Sequence, residues 1–276
     1  MQFFFEVLIG GLLSGVMYSL VALGFVLIYK ASGVFNFAQG ALVYFAALTF
    51  VGIMEKGVPF SGAVVLALGS MVILGILTER VVLRPLVNPP QITLFMATIG
   101  LSFFVEGLAQ MMWGASTRRI DLGIQDEPIP YVLEQFNIVI SSFDLTAAAI
   151  AGILVAGLAV FFQKTKIGRA LRAVADDHQA ALSIGIPLQH IWAIIWSVAG
   201  FVALKALPVL ILGGFESVPG AIVGGLIIGA SEKLAEVYIG PMVGGGIENW
   251  FPYVLALLFL LVRPEGLFGE KHIDRV

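Results

Sequence analysis

Long apolar stretches, separated by short polar segments, run through most of the chain. A helix needs about 20 apolar residues to cross a bilayer. The pattern predicts spans or half-spans at Phe4–Tyr29, Phe35–Met54, Gly62–Leu83, Ile92–Trp113, Leu145–Phe162, His190–Ala203, Leu204–Gly213, Val218–Tyr238 and Trp250–Val262. We therefore expect an all-α, polytopic integral membrane helix bundle with about eight to nine spans or half-spans, forming a single transmembrane domain over residues 1–276.

The second apolar stretch contains two amide side chains and a glycine near its start, at Asn36, Gln39 and Gly40. Such a pattern is typical of a re-entrant or broken helix, because polar groups inside lipid need partners within the protein.

Composition supports the membrane assignment. The chain is 59% hydrophobic and 12% charged with a mean hydropathy of +1.00, whereas soluble domains carry roughly 25% charged residues. The net charge of −3 gives no basic field for nucleic acid. The absence of cysteine excludes disulfides and thiolate metal sites.

Basic residues predict the orientation, because Lys and Arg are retained on the cytoplasmic side. With the amino terminus outside, the inner side holds Lys30, Arg80, Arg84, Lys164, Lys166, Arg169, Arg172, Arg263, Lys271 and Arg275, and the outer side holds Lys56, Arg118 and Arg119. This majority predicts that residues 163–190 are cytoplasmic, that residues 114–144 are outside, and that the carboxyl terminus is cytoplasmic.

The last third of the chain does not fit this alternation without one more crossing. Ile191–Ala203 and Leu204–Gly213 are each too short to cross alone. We expect that the chain lacks roughly 20 residues, about one span, near Ala203 and Leu204. The alternative is a pair of half-helices that meet inside the membrane.

Small residues recur four apart in the last long stretch, at Gly220, Gly224, Gly225 and Gly229. Such pairs let helix backbones approach closely in lipid. They indicate either packing inside one subunit or an interface between subunits.

The longest polar interruption with a helical pattern is the loop 163–190. Leu171, Val174 and Leu182 fall near one helical face, and Gly185 with Pro187 ends the helix. A short amphipathic helix of this kind is suited to a groove in another protein. It could equally be a solvated connector or lie on the lipid surface.

Gln179–Gly185 resembles the E-A-A-x-x-x-G coupling motif of ABC importer permeases, with Gln in place of Glu. Further motifs are Val34–Gly40 (similar to I-N-F-A-H-G), Ile167–Ala173 (G-R-A-x-R-A), Leu204–Ala206 with Leu212–Gly225 (K-A…G-G-x-x-S-x-x-G-A-x-x-G-G) and Arg263–Gly269 (R-P-x-G-L-F-G). Together these motifs resemble the permease subunits of high-affinity branched-chain amino acid ABC importers, which implies that residues 1–276 form a single transmembrane permease domain. Gln39 and Ala41 depart from the family's H-G-E, and the family carries an extra apolar segment before the Lys-Ala pair.

The resemblance implies that the chain catalyses no bond chemistry and holds no cofactor, with ATP and Mg on partner ATPase subunits. It implies a coupling site at Arg169, Arg172, Gln179, Ala180, Ala181 and Gly185. Implied partners are a second homologous permease, two ATP-binding subunits, a solute-binding protein and membrane lipid. We expect the solute-binding protein to dock near Asp121–Asp144. The implied location is the bacterial cytoplasmic (inner) membrane. The substrates would be branched-chain amino acids or related small polar solutes such as urea, amides or organic acids.

Polar groups inside spans are costly and therefore mark candidate pathway residues. The candidates are Asn36, Phe37, Gln39, Glu106 and Lys205. Asn36 and Gln39 could line a pathway or hydrogen-bond between helices, Glu106 could be a structural partner, and Lys205 could snorkel to an interface. Glu232 and Lys233 are expected near a span end.

No catalytic or metal site is predicted. Asp176, Asp177 and His178 are adjacent, so on a helix their side chains diverge. The sequence has no phosphate-cradling Gly-Lys loop and no arrangement typical of an intramembrane enzyme. An ion-coupled secondary transporter of small solutes remains the alternative to an ABC permease.

Overall fold

The computed structural model of the protein describes residues 2–32, 35–86, 91–116, 127–165 and 206–269. These residues form helices and one isolated bridged pair, Pro128 with Ser141. The helices are α1 (Gln2–Ser32), α2 (Gln39–Glu55), α3 (Phe60–Leu77), α4 (Gln91–Trp113), α5 (Pro130–Phe136), α6 (Ser142–Lys164), α7 (Ala206–Gly213), α8 (Val218–Tyr238), α9 (Gly240–Val243) and α10 (Phe251–Val262). A π-helical segment, Thr78–Leu83, extends α3, and a 3-10 turn, Ile247–Asn249, precedes α10.

Five of these helices are long and apolar enough to cross a membrane: Gln2–Lys30, Phe60–Leu83, Ile92–Trp113, Ser142–Lys164 and Val218–Tyr238. Their large apolar side chains include many that are mostly exposed, such as Phe103, Ile153 and Met111. Such surfaces suit lipid. The predicted all-α, polytopic membrane bundle is confirmed, while the number of spans and the orientation of the termini stay predictions.

The second apolar stretch forms one unbroken helix that starts later than its hydrophobicity indicates. α2 begins at Gln39 and is 17 residues long, so Asn36 lies in the segment before it. The Asn36 side-chain Oδ1 accepts the backbone N–H of Ala38 at 2.9 Å, and the Gln39 N–H reaches the Asn36 carbonyl at 3.2 Å. Asn favours such local bonds, which set a helix start.

The chain divides into two compact units, which are described separately. Unit 1 comprises residues 1–26, 121–159 and 205–276, and unit 2 comprises residues 27–120 and 160–204. Residues 166–205 lie outside the described part of the chain, so the predicted spans at His190–Ala203 and the start of Leu204–Gly213 do too.

In unit 2, α2 packs against both α3 and α4. Each helix contributes a stripe of buried residues at helical spacing. The stripes are Leu42, Phe45, Ala46 and Thr49 on α2, Ala63, Ala67, Met71 and Leu74 on α3, and Leu101, Val105 and Ala109 on α4. Leu27, Ile28, Ala38 and Leu83 complete this core.

One end of unit 2 is fixed by Trp113 at the end of α4. Its indole Nε1 donates to the Thr49 hydroxyl at 3.1 Å, and the Lys56 ammonium lies 4.8 Å from the ring centroid, a cation–π arrangement. The ring covers Gly52 so closely that a Cβ there would collide with it. A glycine at residue 52 therefore makes room for the indole.

In unit 1, the last segment of the described chain lies on the end of α7. The N–H groups of Leu267 and Phe268 donate to the carbonyls of Leu212 and Gly213 at 2.8 and 3.2 Å. Gly214 has a φ of +102°, and this left-handed turn leads the chain away from α7. The segment thus supplies donors to carbonyls that a helix end leaves without partners.

A glycine turn after α9 is held by one carboxylate. Gly244, Gly245 and Gly246 all have positive φ. The Glu236 carboxylate accepts the N–H groups of Gly246 and Glu248, each at 3.0 Å. Glu236 therefore fixes the path of residues 244–248.

Candidate functional site

Asn36 and Gln39 form a buried polar pair at the start of α2. Both are only 1% exposed. The Asn36 Nδ2 donates to the Gln39 Oε1 at 3.4 Å. The Gln39 Nε2 is buried and has no hydrogen-bond partner in the part of the chain that the structure describes. The Asn36 Oδ1 and the Gln39 Oε1 thus both accept hydrogen bonds, while the Gln39 Nε2 amino group stays available as a donor.

Phe37 lies between these two residues and is 41% exposed. Its ring meets Phe35 and Phe95 edge to face, with centroids 4.7 Å apart in each pair. Phe95 belongs to the first turns of α4. The aromatic contact therefore brings the segment before α2 next to the start of α4.

Thr78, Glu79 and Thr98 are further buried polar residues of unit 2, with exposures of 2%, 5% and 0%. Thr78 continues the buried stripe of α3 one turn beyond Leu74, and Thr98 continues that of α4 one turn before Leu101. None of these three residues was predicted from the sequence. We call Asn36, Gln39, Thr78, Glu79 and Thr98 together the polar end of unit 2.

Glu106 does not join the polar end. Its side chain is exposed and accepts a hydrogen bond from the Gln110 Nε2 at 3.4 Å, one turn further along α4. It therefore lies on a different face of α4 from the buried Val105 and Ala109. Lys205 and the predicted coupling residues Arg169, Arg172, Gln179, Ala180, Ala181 and Gly185 lie outside the described residues.

The four α8 glycines face helices of the same chain. A Cβ on Gly220 or Gly224 would meet backbone atoms of α7, at Gly213 and Val209. A Cβ on Gly225 or Gly229 would meet backbone atoms of α1, at Gly15 and Gly11. These contacts give the glycines a packing role inside unit 1. An additional contact with another subunit stays a prediction.

Glu232 lies inside α8 rather than near its end and is 1% exposed. The Tyr18 hydroxyl of α1 donates to its Oε1 at 3.2 Å. About three turns of α8 away, the Ser19 hydroxyl donates to the Ile222 carbonyl at 3.0 Å and to the Gly15 carbonyl at 2.8 Å. These polar contacts hold α1 on α8, where the glycines permit the close approach.

Among the described residues, no three His, Cys, Asp or Glu side chains come together as metal ligands would. The polar end offers amide, hydroxyl and carboxylate groups instead. Such groups recognise a small polar molecule by hydrogen bonds.

Comparison with known proteins covers nearly the whole chain. The chain is 26% identical over 306 residues to the high-affinity branched-chain amino acid transport system permease protein LivH of Salmonella typhimurium, with 99% of this chain and 98% of the relative covered. It is 26% identical over 305 residues to the corresponding protein BraD of Pseudomonas aeruginosa, with the same coverage. A probable LivH of Methanocaldococcus jannaschii is 26% identical over 283 residues, or 91% of this chain and 88% of the relative. No solved structure matches the chain.

These alignments bear on the predicted shortfall in the last third of the chain. The alignment with the Salmonella protein is 306 residues long, whereas the chain has 276. At least 30 aligned positions, 306 minus 276, thus lie opposite gaps in this chain. Gaps of that total length could hold one missing span. Their position near Ala203 and Leu204 stays a prediction.

The family model described as branched-chain amino acid transport system, permease component, matches residues 7–206. This match covers most of the chain and includes most of α1, all of α2 to α6 and the polar end. The chain belongs to the branched-chain amino acid transport system permease family.

Proposed function

We propose that the chain is the transmembrane subunit of an ABC importer and forms the translocation pathway for branched-chain amino acids or related small polar solutes. The family match over residues 7–206 carries this proposal. The relatives, which align over 98% of their own length, are named as permease proteins of branched-chain amino acid transport. The chain itself performs no bond chemistry, and ATP with Mg binds to partner subunits.

The pathway would run past the polar end of unit 2. Asn36, Phe37 and Gln39 lie there together, and the first and third are buried at the end of a mostly apolar core. Burying polar groups in a membrane protein costs free energy, so such groups are usually retained for function. This placement supports pathway lining over a purely structural role.

The coupling to ATP hydrolysis would use the loop 163–190. The support is its sequence, because Gln179–Gly185 resembles the coupling motif of ABC importer permeases. The small side chains of Ala180 and Ala181 would permit close contact with an ATPase subunit, and Gly185 would make the turn that follows. Arg169 and Arg172 would extend the contact.

The complete importer would contain a second homologous permease, two ATP-binding subunits and a solute-binding protein. We place it in the bacterial cytoplasmic membrane, with the solute-binding protein docking near residues 121–144. Purification of the tagged chain from membranes tests this composition. An ion-coupled transporter would instead purify alone, and its uptake would collapse with an uncoupler while ATP is still present.

The coupling proposal predicts the effect of a charge at the contact. Ala181→Glu should abolish solute uptake by reconstituted complexes and weaken co-purification of the ATPase subunit. The reason is that a buried, unpaired carboxylate opposes docking. Thermal stability of the membrane part should stay within the range of the wild type, because the loop 163–190 is predicted to lie outside the membrane spans. Normal uptake by this variant would show that the ATPase does not bind here.

A further inference from the structure

The three buried stripes of unit 2 all become polar at the same end. α2 and α3 form a hairpin joined by residues 56–59, and Gln39 lies 17 residues before this loop while Thr78 lies 18 residues after Phe60. At about 1.5 Å per residue, both therefore lie at a similar distance from the turn. The Phe37–Phe95 contact brings the start of α4, and with it Thr98, to that end as well.

Two atoms of the polar end are left for a ligand. The Gln39 Nε2 and the Thr78 Oγ1 are buried and have no hydrogen-bond partner among the described residues. Other buried hydroxyls of unit 2 have partners within the chain, since Thr98 Oγ1 donates to the Phe95 carbonyl at 2.9 Å and Thr49, towards the opposite end of α2, accepts from Trp113. Buried polar groups without partners are rare and require an explanation.

The backbone at Thr78 is also unusual. Thr78–Leu83 is π-helical, whereas the rest of α3 is α-helical. Single π-helical segments in α-helices occur frequently at functional sites. Here the segment carries both Thr78 and Glu79 on the buried side of the helix.

Glu79 adds a carboxylate to this end. It is 5% exposed, and an ionised carboxylate at such a position needs a cationic or hydrogen-bonding partner. A ligand that carries both a carboxylate and an ammonium group would complement the polar end. The ligand's carboxylate would accept hydrogen bonds from Gln39 and Thr78, and the ligand's ammonium would donate to Glu79.

We propose that the polar end of unit 2 binds the ammonium and carboxylate groups of an amino acid in transit. Gln39 and Thr78 donate hydrogen bonds to the carboxylate, Glu79 accepts from the ammonium, and the exposed part of Phe37 contacts the apolar side chain. This inference rests on the proposed pathway function and adds two residues, Thr78 and Glu79, together with the group of the solute that each contacts.

A pair of isosteric substitutions separates this role from packing. Thr78→Val removes the hydroxyl that lacks a partner, and Thr98→Val removes the one that donates to Phe95. If Thr78 only packs, its replacement relieves a buried polar group, so the melting temperature stays or rises and transport is unchanged. If Thr78 binds solute, the melting temperature behaves in the same way but transport falls.

The measurement uses the complete importer in proteoliposomes, with leucine uptake and ATP hydrolysis recorded on the same preparation. We expect Thr78→Val to lower leucine uptake per ATP roughly tenfold or more, the effect of losing one hydrogen bond to a charged group. Thr98→Val should keep the wild-type ratio. Equal ratios for Thr78→Val and wild type would overturn the inference.

Binding to the importer in nanodiscs, without the solute-binding protein, tests the assignment of the two charged groups. Radiolabelled leucine and isopentylamine, which lacks the carboxylate, are the probes. Thr78→Val should weaken leucine and leave the amine unchanged, whereas Glu79→Gln should weaken both. The proposed orientation is wrong if Thr78→Val weakens binding of the amine as much as binding of leucine. It is also wrong if Glu79→Gln leaves binding of the amine unchanged.

Failure of the proposed function would look different. In that case the wild-type chain would not purify with an ATPase or support ATP-dependent uptake. The inference about the polar end fails alone when the wild type transports leucine and the Thr78 and Glu79 variants match it in uptake per ATP.

Discussion

Replacing Gly11 by Ala should force α1 away from α8. A Cβ at Gly11 would lie 2.7 Å from the Gly229 carbonyl oxygen and 2.8 Å from the Ala230 Cα. Both are backbone atoms, so no side-chain rotation can relieve the overlap. The neighbouring Gly10 provides a matched control, because a Cβ there would meet nothing within 4 Å.

Both variants gain stability from the higher helix preference of Ala, but only Gly11→Ala loses stability through overpacking. Each gains about 0.5–1 kcal/mol of helix preference from Gly to Ala. Gly11→Ala must open its contact from 2.7 Å to the ordinary 3.4 Å, and overpacking of this kind costs about 1–3 kcal/mol. The same movement would stretch the Ser19–Ile222 bond of 3.0 Å. Gly11→Ala should therefore be less stable than Gly10→Ala by about 1–3 kcal/mol.

The assay is heating of detergent-solubilised protein followed by size-exclusion chromatography with fluorescence detection. At about 2–4 °C per kcal/mol for a chain of this size, Gly11→Ala should melt at least about 2 °C below Gly10→Ala. Equal midpoints, or a lower midpoint for Gly10→Ala, would refute the argument that backbone contact limits the approach of α1 and α8.

Two further substitutions test local contacts. Gly52→Ala should lower the melting temperature by several degrees because its Cβ would displace Trp113, whereas Gly69→Ala, with open space around it, should not, and equal melting of the two would contradict the contact. Glu236→Gln should speed hydrogen exchange at residues 244–248, since it weakens two charge-assisted hydrogen bonds. Unchanged exchange there would show that the turn holds without the carboxylate.

The positions of the helices could be predicted because lipid leaves the backbone few alternatives. The apolar stretch Val218–Tyr238 has the same bounds as α8, whose start the structure places after Ser217 as N-cap and with Pro219 in the first turn. The start of α2 was missed. Phe35 and Phe37 prolong the apolar stretch, but the side-chain bond from Asn36 to Ala38 delays the helix to Gln39.

The candidate site could be predicted only in part. Asn36 and Gln39 stand out because amide side chains are unusual inside an apolar stretch. Thr78 and Glu79 end a span, where polar residues are ordinary, so their sequence context gives no warning. They are buried because of the face that α3 and its π-helical extension turn towards the rest of unit 2, and that face is set by packing. The burial of Glu232 was missed for a similar reason. Its neighbour Lys233 is half exposed, and the sequence does not show that the two adjacent charged residues differ in exposure.

The attachment of residues 267 and 268 to the end of α7 limits where the chain can be cut or fused. A truncation after Val262 would remove both N–H donors and leave the Leu212 and Gly213 carbonyls at the end of α7 without these partners. A fluorescent reporter joined at that point would do the same. A reporter placed beyond Gly269 keeps the Leu267–Leu212 and Phe268–Gly213 bonds, and is therefore the better choice for purification and labelling.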